Sequence, residues 1–264
     1  MKLKNILKKE PLFVKSFKLA KSNPSKFGLM ILFDALFLAS AFALNKLSSY
    51  FAKSLILFQS LSGIIIMIVF SLMFYLIILF VYSFFKYCIL DFTKSLFSKT
   101  AFSFKRLGQF YASNIVITGI FFAIMLLLTY ILSNIKISYQ PFVFFILTVP
   151  YLLFLYIIIN ASHSLFYDGS SMKDSIKKGF KITFSNGRIY KELILIMVLA
   201  VLILLILFLG SGYLIRVLVD KNYNLYLSIY AYFKQLSIIT FDIVLYFVIL
   251  INRISFYSLV KENK

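Results

Sequence analysis

The stretch FYDGSSMKDSIKKGFKITFSNGRIYKE, residues 166–192, is polar and basic, and the run LILIMVLAVLILLILFLG, residues 193–210, follows it directly. The second run contains no charged residue, and about 20 consecutive apolar residues are enough for a helix to cross a hydrocarbon core of about 30 Å. Residues 166–192 therefore predict a polar segment that leads the chain into a membrane-spanning helix, and this junction sets the fold class.

Apolar blocks of this kind occupy most of the chain. Hydrophobic residues make up 62% of the 264 residues and charged residues 14%, against about 45–50% and about 25% in soluble domains. Runs such as IIIMIVF, residues 64–70, do not alternate as barrel strands do, so helices must satisfy the backbone in lipid. We expect an all-α fold, a polytopic membrane helical bundle that forms one integral membrane domain over residues 1–264. The predicted spans are residues 27–44, 61–90, 113–133, 141–165, 193–215 and 237–260.

The basic residues are distributed unevenly between the two sides of these spans. Of the 28 Lys and Arg residues, 22 lie in the N-terminal segment, in residues 86–111 and 166–191 and at the C-terminal end, and the three other loops hold six. The positive-inside rule then places both termini and the two long basic loops in the cytoplasm, with the spans in the plasma membrane. The net charge of +19 faces anionic membrane lipids, so a nucleic-acid partner is not expected.

Three of the basic segments resemble one another, which indicates a threefold internal repeat. The segments are PLFVKSFKLAKSNPSKFG, DFTKSLFSKTAFSFKRLG and SSMKDSIKKGFKITFSNG, at residues 11–28, 91–108 and 170–187. Matching lysines recur every 79 residues, at Lys15, Lys94 and Lys173. Each predicted repeat contains one amphipathic helix and two spans, and the repeats are residues 11–90, 91–165 and 166–260.

The third segment is the clearest predicted amphipathic helix. Ser171 lies three residues before Asp174, which is the spacing of a capping box. Met172, Ile176 and Phe180 lie at i, i+4 and i+8 on one face, and the basic side chains take the other faces. Basic amphipathic helices of this kind lie in the plane of the membrane surface with the apolar side in the lipid. We expect the same of all three segments.

Turn-forming residues predict where each amphipathic helix ends and its span begins. The predicted breaks are residues 23–24 in the first segment, Gly108 in the second and residues 186–187 in the third. In the second segment Asp91 is expected to cap the start of the amphipathic helix. The sequence thus predicts six transmembrane helices and three amphipathic in-plane cytoplasmic helices.

The stretch NASHSLFYDGSSMKDSIKKGFKITFSNGRIYKELILI, residues 160–196, resembles a pattern of poorly characterised bacterial and archaeal six-span proteins. These include the membrane domain attached to some glycerophosphodiester phosphodiesterases. In such proteins a span ends in a short D-G-x-S turn, and a basic amphipathic helix and the next span follow. The resemblance implies a six-span architecture. The hydrolase barrel that carries phosphodiesterase chemistry is absent from this sequence, so that activity is not expected.

Four polar residues inside the apolar blocks are candidate site residues. Asp34 lies in span one and Asp242 in span six, and an ionisable residue in a span costs about 2.5–3.5 kcal/mol on insertion scales and marks a functional hypothesis by default. Asn160 and Asn252 lie near the cytoplasmic ends of spans four and six. Structural interpretations are also open, because the carboxyl groups can stay hydrated or bond a neighbouring span and the amides can link helices.

The other candidate residues are basic. Candidate contacts to anionic lipids or partner proteins are lysines of the amphipathic segments, namely Lys94, Lys173, Lys177, Lys178 and Lys181. A metal site needs three or four ligands, whereas the chain has one histidine, His163, and one cysteine, Cys88. We therefore expect no metal and no cofactor, and His163 is interpreted as an interfacial residue.

Three functions remain open on these residues. The first is a non-enzymatic integral membrane protein that organises lipids or partner proteins at the cytoplasmic leaflet through its basic helices, with membrane protein partners or a homo-oligomer as its assemblies. The second is a small-solute or lipid transporter with a cavity lined by Asp34, Asn160 and Asn252. The third is a lipid-modifying membrane enzyme, but no recognisable catalytic set supports it, so an enzyme is not expected.

Overall fold

The computed structural model describes residues 10–55, 61–219 and 223–262. Every regular element in these ranges is a helix and none is a strand, which confirms the predicted all-α class. The outermost residues 1–9 and 263–264, which are predicted to be cytoplasmic, lie outside the described residues. The helices are α1 Leu12–Ser22, α2 Pro24–Leu55, α3 Leu61–Ser95, α4 Phe104–Ser133, α5 Gln140–Tyr167, α6 Met172–Ser185, a π-helical turn Ile189–Ile194, α7 Leu195–Val219 and α8 Tyr223–Glu262.

Six helices in the described ranges are long and apolar enough to cross a membrane, which confirms the predicted multi-pass character. They are α2, α3, α4, α5, α7 with the π-helical turn before it, and α8. The helices are longer than the apolar blocks. Helix α3 has 35 residues, which corresponds to about 52 Å at 1.5 Å per residue, against a hydrocarbon core of about 30 Å. Such a helix extends beyond the core.

The chain divides into two compact units. The four-span unit is Ala20–Ser185 and contains α2 to α6. The two-span unit contains residues 10–19, which include most of α1, and the chain from Asn186 onward, with the π-helical turn, α7 and α8. Each unit is described by itself.

In the four-span unit the buried side chains are concentrated at one end, where α3 and α5 finish and α4 begins. Most of the buried residues lie within residues 83–93 of α3, 107–121 of α4 and 157–167 of α5, and we call these segments, with α6, the packed end. The opposite halves of the same helices, such as residues 64–69 of α3, expose large apolar side chains. Lipid is the natural environment for that surface, because the spans need no apolar partner there.

Helices α5 and α6 form a helical hairpin that is closed by a short turn. Gly169 has a φ angle of +116°, a left-handed conformation that glycine adopts without steric cost. The N–H groups of Ser170 and Gly169 donate to the carbonyl oxygens of Leu165 and Phe166, each at 3.1 Å. These bonds satisfy the carbonyls at the end of α5, as in a Schellman motif. The D-G-x-S turn is therefore the C-terminal cap of α5.

A stripe of small residues forms the buried face of α6. Ser175, Gly179 and Thr183 are buried at i, i+4 and i+8. A Cβ atom added to Gly179 would lie 2.1 Å from the Oγ of Ser162 in α5 and 3.2 Å from its Cα. The two helix backbones therefore approach so closely that residue 179 has room for glycine alone.

The apolar side chains of α6 also contact the protein. Ile176 and Phe180 pack against a buried cluster that α4 and α5 form, which contains Ile117, Phe121 and Ile158. Met172 packs against a second buried cluster of the spans. The predicted shared face is therefore present, but all three of its members lie against the spans. The capping-box spacing is confirmed as well, because the N–H of Asp174 donates to the Oγ of Ser171 at 3.2 Å.

Helix α6 runs antiparallel to α5. Gly179 lies beside Ser162, and five residues later the ring of Phe184 lies 5.6 Å, centroid to centroid, from that of Phe154. Residue numbers thus rise along α6 as they fall along α5. The helix is the second arm of a hairpin with a membrane-spanning helix, which does not confirm the predicted in-plane orientation.

The predicted cap at Asp91 is wrong. Helix α3 continues through Asp91 to Ser95, so no separate amphipathic helix begins there. The Asp91 carboxylate instead accepts hydrogen bonds from the hydroxyl groups of Tyr167 and, at 3.2 Å, Thr100. The bond with Tyr167, which lies 76 residues away in the sequence, joins the end of α3 to the end of α5.

The predicted break at Gly108 is also wrong, because Gly108 lies inside α4. The start of α4 is fixed by Ser103, whose side chain accepts a hydrogen bond from the N–H of Arg106 at 3.5 Å. A helix tolerates an internal glycine at a cost of about 0.5–1 kcal/mol relative to alanine. The second segment therefore has no amphipathic helix of its own, and the threefold repeat is not confirmed.

The other two predicted breaks are confirmed. Helix α1 ends at Ser22 and α2 begins at Pro24, as expected for proline in the first turn of a helix. Helix α6 ends at Ser185, and the Oδ1 of Asn186 accepts a hydrogen bond from the N–H of Arg188 at 3.1 Å. This local bond is the turn chemistry typical of asparagine.

In the two-span unit the packing is again concentrated at one end. Helix α8 buries Val248 and nearly every residue from Leu250 to Val260, whereas α7 has no buried residue. The π-helical turn that precedes α7 buries Ile189 and Leu193. The last third of α8 and the first turn of span five therefore form the core of this unit.

The close approach of α6 to α5 predicts the effect of adding one methyl group. We expect Gly179→Ala to destabilise the protein by about 1–3 kcal/mol, which is typical of overpacking. Cys88 is the single cysteine and is buried, so its reaction with a thiol-reactive dye during heating measures unfolding of the detergent-solubilised chain. Gly108→Ala is the matched control, since a Cβ there meets nothing within 4 Å, and its Tm should be unchanged or higher. An unchanged Tm for Gly179→Ala would contradict the close packing.

Candidate functional site

Three of the four predicted intramembrane polar residues are buried. Asp34 is buried in α2, and its neighbours Phe33 and Phe37 contact aromatic rings of α3. Asn160 is buried in α5, and Asn252 is fully buried in α8. Asp242 is exposed on α8. Asp34 and Asn160 belong to the four-span unit and the other two to the two-span unit, so the predicted cavity of Asp34, Asn160 and Asn252 stays a prediction.

Asn160 belongs to a group of polar side chains from three helices. The ammonium of Lys86 in α3 donates to the Oδ1 of Asn160 at 3.3 Å. The amide of Asn114 in α4 donates to the Oγ of Ser83 in α3 at 2.8 Å. The Oδ1 of Asn114 lies 2.7 Å from the Nε2 of His163 in α5. All five side chains are buried. We call these residues the polar cluster.

The hydrogen bonds of the polar cluster fix the tautomer of His163. Because the amide nitrogen of Asn114 donates to Ser83, the Oδ1 of Asn114 is an acceptor and the Nε2 of a neutral His163 must carry the proton. The Nδ1 is then an acceptor, and no described residue bonds it. His163 is 2% exposed, so it is a buried residue of the packed end and its interpretation as an interfacial side chain is wrong.

The polar cluster places one cation, one imidazole and two amides inside the packed end. Groups of this kind in a membrane bundle are costly and mark solute or proton pathways by default. The same hydrogen bonds also fix α3, α4 and α5 in one relative position, since a shifted helix leaves buried polar atoms unpaired at about 1–3 kcal/mol each. The described residues contain no group of three His, Cys, Asp or Glu side chains that could hold a metal.

Asn252 has an environment unlike that of Asn160. Neither the Nδ2 nor the Oδ1 of its fully buried amide has a hydrogen-bond partner among the described residues. The interhelical hydrogen bond expected of Asn252 is therefore not formed. One turn further along α8, Ser255 does reach another helix, because its hydroxyl group lies 3.4 Å from the carbonyl oxygen of Leu12 in α1.

Four of the five predicted lysine contacts lie on one helix and point away from the spans. Lys173, Lys177, Lys178 and Lys181 of α6 are exposed, and none forms an ion pair with a described residue. Three of them, at i, i+4 and i+8, lie opposite the buried stripe of Ser175, Gly179 and Thr183. We call the face with the four lysines the basic face of α6.

The fifth lysine has a structural role. The ammonium of Lys94 donates to the carbonyl oxygen of Tyr167 at 3.3 Å and lies 5.5 Å from the centroid of its ring. The guanidinium of Arg106 similarly donates to the carbonyl oxygen of Phe166 and lies 5.1 Å from that ring. Both cations lie at the C-terminal end of α5, where the helix dipole favours positive charge.

Three cations of the two-span unit, Lys15, Lys18 and Arg188, are paired with carboxylates. Arg188 donates to Glu192 at 2.9 Å and to Glu262 at 3.0 Å, and Lys15 of α1 donates to Glu262 at 2.7 Å. The other carboxylate oxygen of Glu192 accepts from the N–H of Leu12 at 2.7 Å, at the positive end of the α1 dipole. The hydrogen bonds with Glu192 and Glu262 raise the pKa of Arg188, so the arginine stays charged.

Several of these residues were not recognised from the sequence. Lys86 counts as loop charge when basic residues are summed by segment, yet it lies inside α3. The sequence does contain one sign of the polar cluster, namely an i, i+3 spacing that places two polar residues on one helix face. Ser83 and Lys86 have this spacing, and so do Asn160 and His163. Nothing in the sequence pairs these two faces, since the partners are distant along the chain.

The carboxylate of Glu192 predicts how α1 is held. We expect Glu192→Gln to loosen α1, because the neutral amide binds the helix N-terminus and Arg188 more weakly, each interaction being worth about 0.3–1 kcal/mol. Hydrogen exchange measured by mass spectrometry should then show faster exchange at residues 12–19. Glu10→Gln is the matched control, because the ion pair of Glu10 among the described residues is the exposed one with Lys18. Equal exchange in the two variants would contradict this role of Glu192.

The resemblance of residues 160–196 to a membrane domain of some glycerophosphodiester phosphodiesterases concerns span arrangement and stays a prediction. The contacts of the polar cluster and of the basic face are properties of this chain's own residues. Comparisons with protein-family models, with curated proteins and with solved structures find no match to this chain.

Proposed function

We propose that this chain is an integral membrane protein that organises anionic lipids at the cytoplasmic leaflet through the basic face of α6. The proposal assigns no catalytic step to the protein. The observation that carries it is the combination of a fixed helix with unpaired charge. Helix α6 is fixed on α5 by the Gly179–Ser162 contact, while its four lysines remain exposed and form no ion pair within the described part of the chain.

The electrostatics of α6 favour an external anion. Its single acidic residue, Asp174, is engaged with Ser171 at the start of the helix. Lysines four residues apart on a helix repel each other by a few tenths of a kcal/mol, and two such pairs occur, Lys173 with Lys177 and Lys177 with Lys181. Lipid phosphates near the membrane surface attract each basic group by roughly 1 kcal/mol. Anionic lipid would thus supply the counter-charge that the chain lacks here.

The position of α6 along α5 supports contact with headgroups. Helix α5 has 28 residues, about 42 Å at 1.5 Å per residue, so it is longer than a hydrocarbon core of about 30 Å. Helix α6 lies beside its last half, where Gly179 faces Ser162. The lysine stems can lie along apolar surface while the ammonium groups reach the headgroup level.

Neutralising the basic face should remove the dependence on anionic lipid. In detergent, we expect phosphatidylglycerol to raise the Tm of the full chain more than phosphatidylcholine does, as measured by the Cys88 dye reaction. Most of this difference should disappear in the variant in which Lys173, Lys177, Lys178 and Lys181 are all changed to Gln, because four roughly 1 kcal/mol attractions are lost.

A second variant controls for the change in total charge. It replaces four exposed lysines of the other loops and spans, Lys46, Lys53, Lys136 and Lys234, by Gln. This control should keep the phosphatidylglycerol effect. Equal losses in the two variants, or no phosphatidylglycerol effect in the unchanged chain, would overturn the proposed function.

A small-solute or lipid transporter is the second candidate, and the polar cluster is the observation that favours it. A transport pathway requires water or solute to reach these buried groups. In a Cys88→Ala background, Ser83→Cys would then react with a charged, membrane-impermeant thiol reagent in lipid vesicles. Ile66→Cys, at an exposed apolar position of α3, is the matched control and should not react. An unreactive Ser83→Cys would contradict a water-reached pathway.

A further inference from the structure

We infer that the basic face of α6 binds a lipid whose headgroup carries two phosphates in series, that is, a lipid diphosphate. This inference rests on the proposed function, because it names the class of anionic lipid that the same lysines would select. The ligand is identified by its chemistry, an apolar chain that ends in two linked phosphate groups.

Three of the four lysines form a ridge that is inclined to the helix axis, because each step of four residues turns by about 40°. Lys173, Lys177 and Lys181 lie at i, i+4 and i+8, so their Cα atoms are spaced by roughly 6 Å along the helix axis at 1.5 Å per residue. Lys178 lies about 100° around the helix from Lys177 but only about 60° from Lys181, so it borders the ridge at its Lys181 end. Four-carbon stems allow adjacent ammonium groups of the ridge to converge on the oxygens of neighbouring phosphates.

The ridge follows the direction of a membrane span. Helix α6 runs antiparallel to α5, as the contacts of Gly179 with Ser162 and of Phe184 with Phe154 establish. Helix α5 is a candidate span, so successive lysines lie at successive depths along it. Two phosphates that lie side by side at one depth can meet only one lysine of the ridge. The two phosphates of a diphosphate that extends away from the lipid chain lie at two depths and can meet two lysines.

The deeper end of the ridge is apolar. Phe184 lies three residues beyond Lys181, on the same side of the helix, and its side chain is 71% exposed beside Phe154 of α5. The chain of a lipid can therefore contact Phe184 while its first phosphate meets Lys181 and its second meets Lys177. Lys173 is left to contact the outer oxygens of the second phosphate.

Linking the two phosphates in one molecule increases the affinity. Two separate anionic lipids must each be recruited to the ridge and repel each other there, whereas the second phosphate of a diphosphate is held beside the first. The second contact then has the effective concentration of an intramolecular one, and such linkage strengthens binding by factors of up to 10²–10⁴. The ridge should therefore distinguish diphosphates from monophosphates.

Chain-matched probes test the inference on the detergent-purified full chain. Native mass spectrometry titrations give the Kd of farnesyl diphosphate and of farnesyl monophosphate, which differ only in the second phosphate. We expect the diphosphate to bind at least about tenfold tighter. Lys177→Gln removes the middle of the ridge and should abolish most of this ratio. Lys136→Gln makes the same charge change at an exposed lysine outside α6 and should preserve it.

Each alternative outcome identifies what fails. Equal Kd values for the two probes overturn the inference, and the proposed function survives if the quadruple Gln variant still loses anionic lipid. Equal losses in Lys177→Gln and Lys136→Gln also overturn it, because charge alone would then explain binding. If neither probe nor phosphatidylglycerol binds, both the inference and the proposed function fail.

Two further ligands separate the source and the arrangement of the phosphates. Inorganic diphosphate should compete at least about tenfold less well than farnesyl diphosphate, because it lacks the chain that contacts Phe184. Competition at equal concentration would identify a soluble diphosphate and overturn the lipid assignment. Diphosphatidylglycerol carries two phosphates on separate arms, and if it binds as tightly as the lipid diphosphate, the serial arrangement is wrong.

Discussion

The close approach of α6 to α5 is the contact on which the basic face depends. Gly179 lies so near Ser162 that a single added carbon would collide with it, and the turn at Gly169 holds the two helices in one hairpin. A free basic amphipathic helix would lie in the plane of the membrane surface with its apolar face in lipid, and the protein would not fix its orientation. Here Ile176 and Phe180 pack on the spans, so the lysines on the other faces have fixed positions.

The two units differ in how their basic residues are paired. In the two-span unit Lys15, Lys18 and Arg188 each pair with a carboxylate, so these cations are accounted for within the chain. On α6 four cations occur within nine residues with no such partner. Like charges at helical spacing oppose one another, and an external anion relieves that repulsion. The same composition therefore supports an internal role for one set of charges and an external role for the other.

Composition and block length were sufficient to predict the all-α class and six membrane-spanning helices, because lipid leaves the backbone few alternatives. Local turn chemistry at residues 23–24 and 186–187 was predictable because Asn, Pro and Gly favour turns. The ends of the helices were not, since Asp91 lies inside α3 and bonds the distant Tyr167, and Gly108 lies inside α4, which begins at the Ser103 cap. The buried stripe of small residues on α6 was not predicted, because Ser175, Gly179 and Thr183 have little hydrophobicity.

The location of burial explains why the informative residues lie together. The spans are longer than the hydrocarbon core, and in the four-span unit the packed end holds the polar cluster, the hairpin and the caps formed by Lys94 and Arg106. Apolar halves in lipid gain little from specific side-chain contact, so they tolerate wide exposure. Hydrogen bonds gain most where burial excludes competing water. The buried polar cluster is therefore stabilised at the packed end, and the exposed basic face of α6 lies at the same end.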